Sequence, residues 1–409
     1  MPTNQQSRRH HYVPQWYQRR FMVPGQTQYH YLDLKPDTVV RDGVSHQRRD
    51  LLHWGPAKCF YEDDLYALQV RGLTSDGFEK RFFGEVDRRG REAVETFGSY
   101  SGFSHRVHEN FLTLPTYMDA QRYRTPRGLD QLRTMASIRG QNQTMAVMMH
   151  LYRLHTTMWT EGVWEVVYAR NSRAKFIVSD EPVTFFNRRI FPNEVGYPGS
   201  IELDRVGKRT LFPLALESCL IITHVQLIRN PWGNPLTLRA NPRAYDNTLV
   251  MTSGTHFGRE LEDTEVLRIN WIMKRRATRY IAAAEKDWLY PERELSAADW
   301  ASLDNDWFLF PHLWKIPFTG GVVAGYRDGS SYARDEYGRR RNHPSYQDKK
   351  LHDQEWHSHL RARKEWALKR LGKSVAHVDD HDRTDDVGDK LMNKYLESLS
   401  PGDTDVSVL

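Results

Sequence analysis

The run Val163-Trp164-Glu165-Val166-Val167-Tyr168-Ala169 marks where the character of the chain changes. β-Branched and aromatic residues suit a pleated, half-buried surface, and residues 174–178, 183–186, 210–216 and 220–224 have the same make-up between Asn, Ser, Asp, Pro and Gly boundaries. Together these runs predict a small antiparallel or mixed β-sheet. Outward from it, helical spacing prevails. Asp76 is placed to cap a helix carrying Phe78, Phe82, Val86, Ala93 and Phe97 on one face. Residues 128–159 put Leu129, Leu132, Met135, Ile138, Met145, Met149 and Leu154 on one stripe, with Gly140 set to kink or split it. Residues 265–286 return to helix, residues 28–46 alternate like a hairpin, and Pro14 is suited to open a short helix. The expectation is an α+β fold: a helical N-terminal half packed on the sheet, with a basic helical C-terminal extension. Residues 1–9 read as a polar lead, 10–290 as the core domain, 291–371 as the basic extension and 372–409 as an acidic mobile tail.

Composition narrows the classes. Among 409 residues, 12 Trp, 20 Tyr and 17 Phe supply a core and exclude a wholly disordered chain. Two cysteines, Cys59 and Cys219, make neither a disulfide framework nor a cysteine-based zinc site. No apolar leader and no run near ~18 apolar residues is present, so a soluble, cytoplasmic chain without a membrane role is expected. The net charge of +6 is compatible with a polyanion partner. Twelve Lys/Arg against seven Asp/Glu crowd residues 327–370, whose second half, 349–371, reads as one exposed helix bearing Trp356 and Trp366. Arg339, Arg340, Arg341, Lys349, Lys350, Arg361 and Arg363, interleaved with aromatics, are the expected nucleic-acid-binding side chains. The acidic tail is a place for a protein partner. Its His377-Val-Asp-Asp-His381 has metal-like spacing, but no apolar residues support it.

Phosphate-loop, dinucleotide, zincin and serine-hydrolase signatures are absent. What remains are polar residues in proline-fixed or apolar settings. His11 in His-Tyr-Val-Pro is held in one orientation, as a general acid or base needs, or as a turn-capping histidine would be. Glu79 and Glu85 can share a cation or proton, or line a solvated helix face. Arg124 and Arg127 flank Thr125-Pro126, where Pro126 opens a helix whose free N–H groups would complete a phosphate cradle. Ser179-Asp180-Glu181 ends a buried-looking strand and Pro182 fixes the turn, a usual setting for active-site carboxylates and for simple turn caps alike.

In order along the chain, His11-Tyr12-Val13-Pro14 with Trp16, Tyr17 and Phe21, then Glu79-x-x-Phe82-x-x-Glu85, Gln121-x-x-Arg124-Thr125-Pro126, Ser179-Asp180-x-Pro182-Val183, and Leu211-Phe212-Pro213-Leu214 resemble the bacterial domain-of-unknown-function family numbered 4238. The likeness spans residues 9–255. Gln18 stands where that family usually has leucine, and Glu181 adds a charge at its variable position. The family has no settled activity, so the resemblance implies relatives and no reaction.

The leading expectation is an enzyme acting on a phosphodiester or nucleotide, a nuclease-like effector with a bacterial defence or toxin role. His11 would be acid/base, Asp180 a base or ligand to a divalent metal ion with Glu85 assisting, and Gln121 with Arg124 would hold the phosphate. The alternatives are a non-catalytic nucleic-acid-binding module, with His11, Gln121 and Asp180 as a buried network at the helix-to-sheet junction, and an interaction or scaffold protein.

Overall fold

The computed structural model describes residues 8–70, 73–102, 104–192, 202–242, 255–305 and 331–371, with short pieces at 244, 307–311, 313, 316, 322–325 and 329. The acidic tail, His377 and His381 lie outside the described residues. Helices and several small sheets make up an α+β fold.

Five strands form the main sheet in the order Thr184–Phe186, Arg209–Ala215, Ser218–His224, Gly162–Tyr168, Thr255–Glu260. The first four pair antiparallel and the last joins parallel, so the sheet is mixed. Every residue of Gly162–Tyr168 and Ser218–His224 is buried. Covering on both faces is the reason these strands read as mostly apolar runs rather than alternating ones, with the buried Glu165 ion-paired to Arg259. On one face Trp164 meets Phe97 and Phe111, and Phe212 stacks on Tyr17. Gly84–Gly98, Thr113–Tyr123 and residues 12–21 supply that cover. On the other, Val163 packs with Trp307, Phe310, Leu313, Ile316 and with Ala362 and Trp366 of Lys349–Leu371. That helix has the expected bounds, yet it is docked along one side instead of exposed all round.

A second sheet runs Val178–Ser179, Tyr280–Ala283, Tyr29–Asp33, Leu51–Trp54. It corrects three expectations. Residues 28–46 are not one hairpin: Thr38–Arg41 pairs with Val44–Gln47, while Tyr29–Asp33 pairs elsewhere. The helix expected over 265–286 is Asp263–Arg276, opened by a reciprocal Glu262–Glu265 capping box and followed by a strand. It stops because the N–H groups of Thr278, Arg279 and Tyr280 are taken by the Asp180 carboxylate. Residues 174–177 join no ladder, because the Asn270 side chain serves the Ile177 N–H and the Lys175 carbonyl in its place.

Residues 128–159 divide into Pro126–Ala136, Gln141–Leu151 and Thr156–Thr160, with Gly140 at the break. Met145 and Met148 face the core, whereas Met135 and Met149 are exposed, so the single stripe holds only within each piece. Before Gly84–Gly98 a wide turn, Glu79–Phe83, spends one extra residue per turn and brings Phe83 inward in place of Phe82. Gly128, at the start of Pro126–Ala136, lies against backbone. A Cβ there would stand 2.2 Å from the Arg122 oxygen and 2.8 Å from the Tyr123 Cα. Gly128→Ala should therefore cost about 2–3 kcal/mol in a denaturant titration, because backbone cannot step aside as a side-chain tip does. A change under ~0.5 kcal/mol would show that the junction is loose. Among the described residues no helix is long and apolar enough to cross a membrane.

Candidate functional site

Arg9–His11 is a strand paired with Tyr61–Asp63, and Pro14 caps the short helix Gln15–Arg19. Between them the backbone turns, and three successive carbonyls need donors. Arg124 Nη2 reaches His11 O at 3.1 Å, Gln121 Nε2 reaches Tyr12 O at 2.7 Å, and Gln18 Nε2 reaches Val13 O at 2.7 Å. Gln121 and Arg124 arrive together because they sit three apart, at the end of Thr113–Tyr123. Gln18, in a position where leucine would offer no donor, also accepts from the Tyr29 hydroxyl at 2.6 Å.

Arg124 is buried, with Nη1 2.6 Å from Asp87 and its guanidinium over the Phe83 ring. Its own carbonyl takes the Tyr66 hydroxyl at 2.6 Å. Burial pushes the nearby Glu79 carboxyl up to about 7 against the pull of Arg124. Glu85 does not join them. It is exposed, bridged by Arg88 and Arg89, whose hydrogen bonds hold it down at about 2. Its expected partnership with Asp180 is not made.

Thr125 caps Pro126–Ala136 by accepting from Gly128 N at 3.0 Å, and its hydroxyl lies 3.2 Å from Glu181 Oε1. The Thr278 hydroxyl faces the same oxygen at 3.4 Å, and Arg127 reaches Thr278 and the Arg276 carbonyl. Burial, with the Asp180 charge beside it, pushes Glu181 up to about 8. Asp180 accepts from Thr278 N at 2.9 Å through Oδ1, and from Arg279 N at 2.6 Å and Tyr280 N at 2.8 Å through Oδ2. Burial pushes its carboxyl up to about 6 despite those donors.

The sequence-distant blocks around His11, Gln121–Pro126 and Asp180–Glu181 thus meet at one junction. Their polar groups face backbone: Gln121, Arg124 and Asp180 are all buried, and both Asp180 oxygens are engaged with N–H groups. A carboxylate so held fixes chain geometry and is not turned towards a substrate proton. His11 is half-buried, its ring against the Pro56 and Ala57 carbonyls, and burial lowers its pKa.

Sequence reading passed over Asp119, Arg122 and His155. Asp119 accepts from His155 N at 2.8 Å and from Arg122 Nη2 at 2.9 Å, and that same Nη2 lies 2.8 Å from His155 Nδ1. The same Nδ1 also lies 3.3 Å from Asp119 Oδ1, so it is engaged whether it accepts from the guanidinium or donates to the carboxylate. Nδ1 is thereby occupied, and His155 is not placed to act as a base through it. Among the described residues no group of three or more His, Cys, Asp or Glu could hold a metal ion.

Of the expected nucleic-acid contacts, Arg340, Arg341, Lys349, Lys350 and Arg361 are exposed. Arg339 is buried in an ion pair with Asp335, and Arg363 is half-buried, donating to the Leu313 and Ile316 carbonyls. Both are engaged within the fold rather than turned to meet phosphate. An unanticipated partner stands beside them: the Arg361 guanidinium lies 4.5 Å over the ring of Trp232, which is 41% exposed. Set beside protein-family models, curated proteins and solved structures, the chain matches none of them significantly.

Proposed function

We propose that the chain is a nucleic-acid-binding module. The observation that carries this reading is the exposed Trp232 indole under Arg361, at the side of the basic helix Lys349–Leu371. An accessible aromatic face beside a cation is what sequence-tolerant stacking on a single strand requires. Arg340 and Arg341 ahead of that helix, and Lys349 and Lys350 in its first turn, add exposed positive charge. The nuclease-like reading draws less support, since Gln121, Arg124 and Asp180 are occupied with backbone. Kinship with the family of unknown function is proposed on its motif residues alone and adds no activity.

Fluorescence anisotropy with a labelled single strand of ~20 nucleotides, long enough to cover a typical single-strand site, tests the reading at low and near-physiological salt. Trp232→Ala should weaken binding about 5-fold or more, the scale of one stacked base. Changing Arg340, Arg341, Lys349 and Lys350 together to Ala should flatten the salt slope by up to ~3, about 0.7 for each phosphate no longer neutralised on a single strand. Arg339 is left intact in that variant because its charge is part of the fold. A wild-type protein without salt-dependent binding ends the proposal.

A further inference from the structure

The helix Lys349–Leu371 is docked through Ala362 and Trp366, and two of its leucines face the other way. Leu360 and Leu368 are exposed, and with Arg361 they fall within roughly 100° of the helix circumference. The outer face of a docked helix is ordinarily polar. Arg361 holds its guanidinium over Trp232, and the Ser358 hydroxyl meets the Asn230 side chain at 3.2 Å. The exposed indole thus stands at the flank of this face. Its setting is basic. Lys349–Leu371 holds seven Lys/Arg against three Asp/Glu, and Arg340 and Arg341 are exposed just ahead of it.

The chain after Leu371 lies outside the described residues, and its sequence complements this face. Residues 372–390 hold six Asp against three Lys/Arg. Then Leu391, Met392, Tyr395, Leu396 and Leu399 recur at helical spacing, with Asn393, Lys394, Glu397 and Ser398 between them. A stretch this short does not hold a helix alone in water and needs an apolar surface to lie on. The reach is sufficient. Leu360 is about 17 Å back along the helix from Leu371. Residues 372–390 span roughly 24 Å as a coil and up to ~60 Å when extended. We propose that residues 391–399 dock on the face of Leu360 and Leu368 beside Trp232, with the aspartates of 372–390 against the basic helix. The occupant is the chain's own segment, because the charges are opposite and attachment to the same chain keeps its effective concentration high. Docking rests on the exposed face; that it shuts out a strand rests on the nucleic-acid reading.

Hydrogen exchange of the full chain at low salt, read by mass spectrometry, tests the contact. Amides of residues 391–399 should exchange about 10-fold or more slowly than in a Leu360→Ser, Leu368→Ser variant, whose changes sit on the solvent side of the helix. Changing Asp379, Asp380, Asp382, Asp385 and Asp386 together to Asn should cut that protection, as should ~1 M sodium chloride, which confines charge interactions to about 3 Å. A Leu391→Ser, Leu396→Ser variant leaves the described residues untouched. It should bind the labelled strand about 10-fold tighter than wild type, because a face covered ten parts in eleven is freed (roughly the same factor as the protection). Slow exchange in wild type, with no strand bound by either protein, supports docking and ends the nucleic-acid reading instead. Docking is overturned if residues 391–399 exchange equally fast in wild type and the Leu360, Leu368 variant. Protection that grows with protein concentration also overturns it, since the segment then sits on a second copy. Equal strand affinity of wild type and the Leu391, Leu396 variant overturns the exclusion of a strand.

Discussion

Asp180→Asn should lower the melting temperature by about 6 °C near neutral pH, equivalent to ~3 kcal/mol. The exchange looks nearly isosteric, but the carboxylate receives three backbone N–H groups, shared between both oxygens. An amide presents one oxygen and one NH2 group, so whichever way it turns at least one buried N–H meets a donor. Those N–H groups belong to the turn between Asp263–Arg276 and Tyr280–Ala283, and that strand is central to the second sheet. The loss should therefore appear as cooperative unfolding in circular dichroism and not as a local change. An Asp180→Asn protein that melts with wild type, while any nucleotide turnover disappears, would restore the catalytic role for this residue.

Glu181→Gln should become progressively more stable than wild type as pH rises, gaining about 1.4 kcal/mol, roughly 3 °C, between about pH 7 and 9. The folded carboxyl sits at about 8, raised by burial. An unfolded glutamate titrates near ~4.3. A folded value above the unfolded one means a contribution that is full below the unfolded pKa and is lost as pH climbs through the folded one. Glutamine keeps the neutral form and can still meet the Thr125 and Thr278 hydroxyls. The measured quantity is the gap between variant and wild type, because Lys208, pulled down to about 7 by burial, tilts both curves the opposite way in this window. His155, His224 and His359, all lowered by burial, are neutral in the fold above about pH 7 and add little slope there. A gap that stays constant across that window would mean that Glu181 is already ionised in the fold.

The residues that were legible are those whose signal is local. The strands around Val166, Phe212 and Ile222 and the bounds of Lys349–Leu371 follow from composition and spacing within single segments. Pro126 at a first helical turn and the break at Gly140 follow from backbone restriction. Tyr280–Ala283 was hidden because Val266, Ile269 and Ile272 set a helical rhythm that runs on into Tyr280 and Ile281. What interrupts it is a carboxylate 100 positions upstream. For His11, Gln121 and Asp180 the leading expectation is a substrate site and the alternative a buried network, and the sequence does not decide between them, since it does not show that three adjacent carbonyls lack ladder partners. Arg339 and Arg340 illustrate the finer limit: neighbours in one basic run, they differ because Asp335 lies four residues before the first.

The ordering of the second sheet also has a consequence during synthesis on the ribosome. Asp33 is ion-paired with Arg279, 246 positions later, and one edge of Tyr29–Asp33 closes only on Tyr280–Ala283. At ordinary elongation rates that interval is on the order of 12–50 s. Throughout it, Leu51–Trp54 can shield one side of the first strand while the other side stays bare to every neighbouring nascent chain. Polysomes making this protein should thus depend on a holding chaperone, and a translational pause that holds Tyr280–Ala283 back inside the ribosome should raise co-translational aggregation more than one imposed after that strand has emerged.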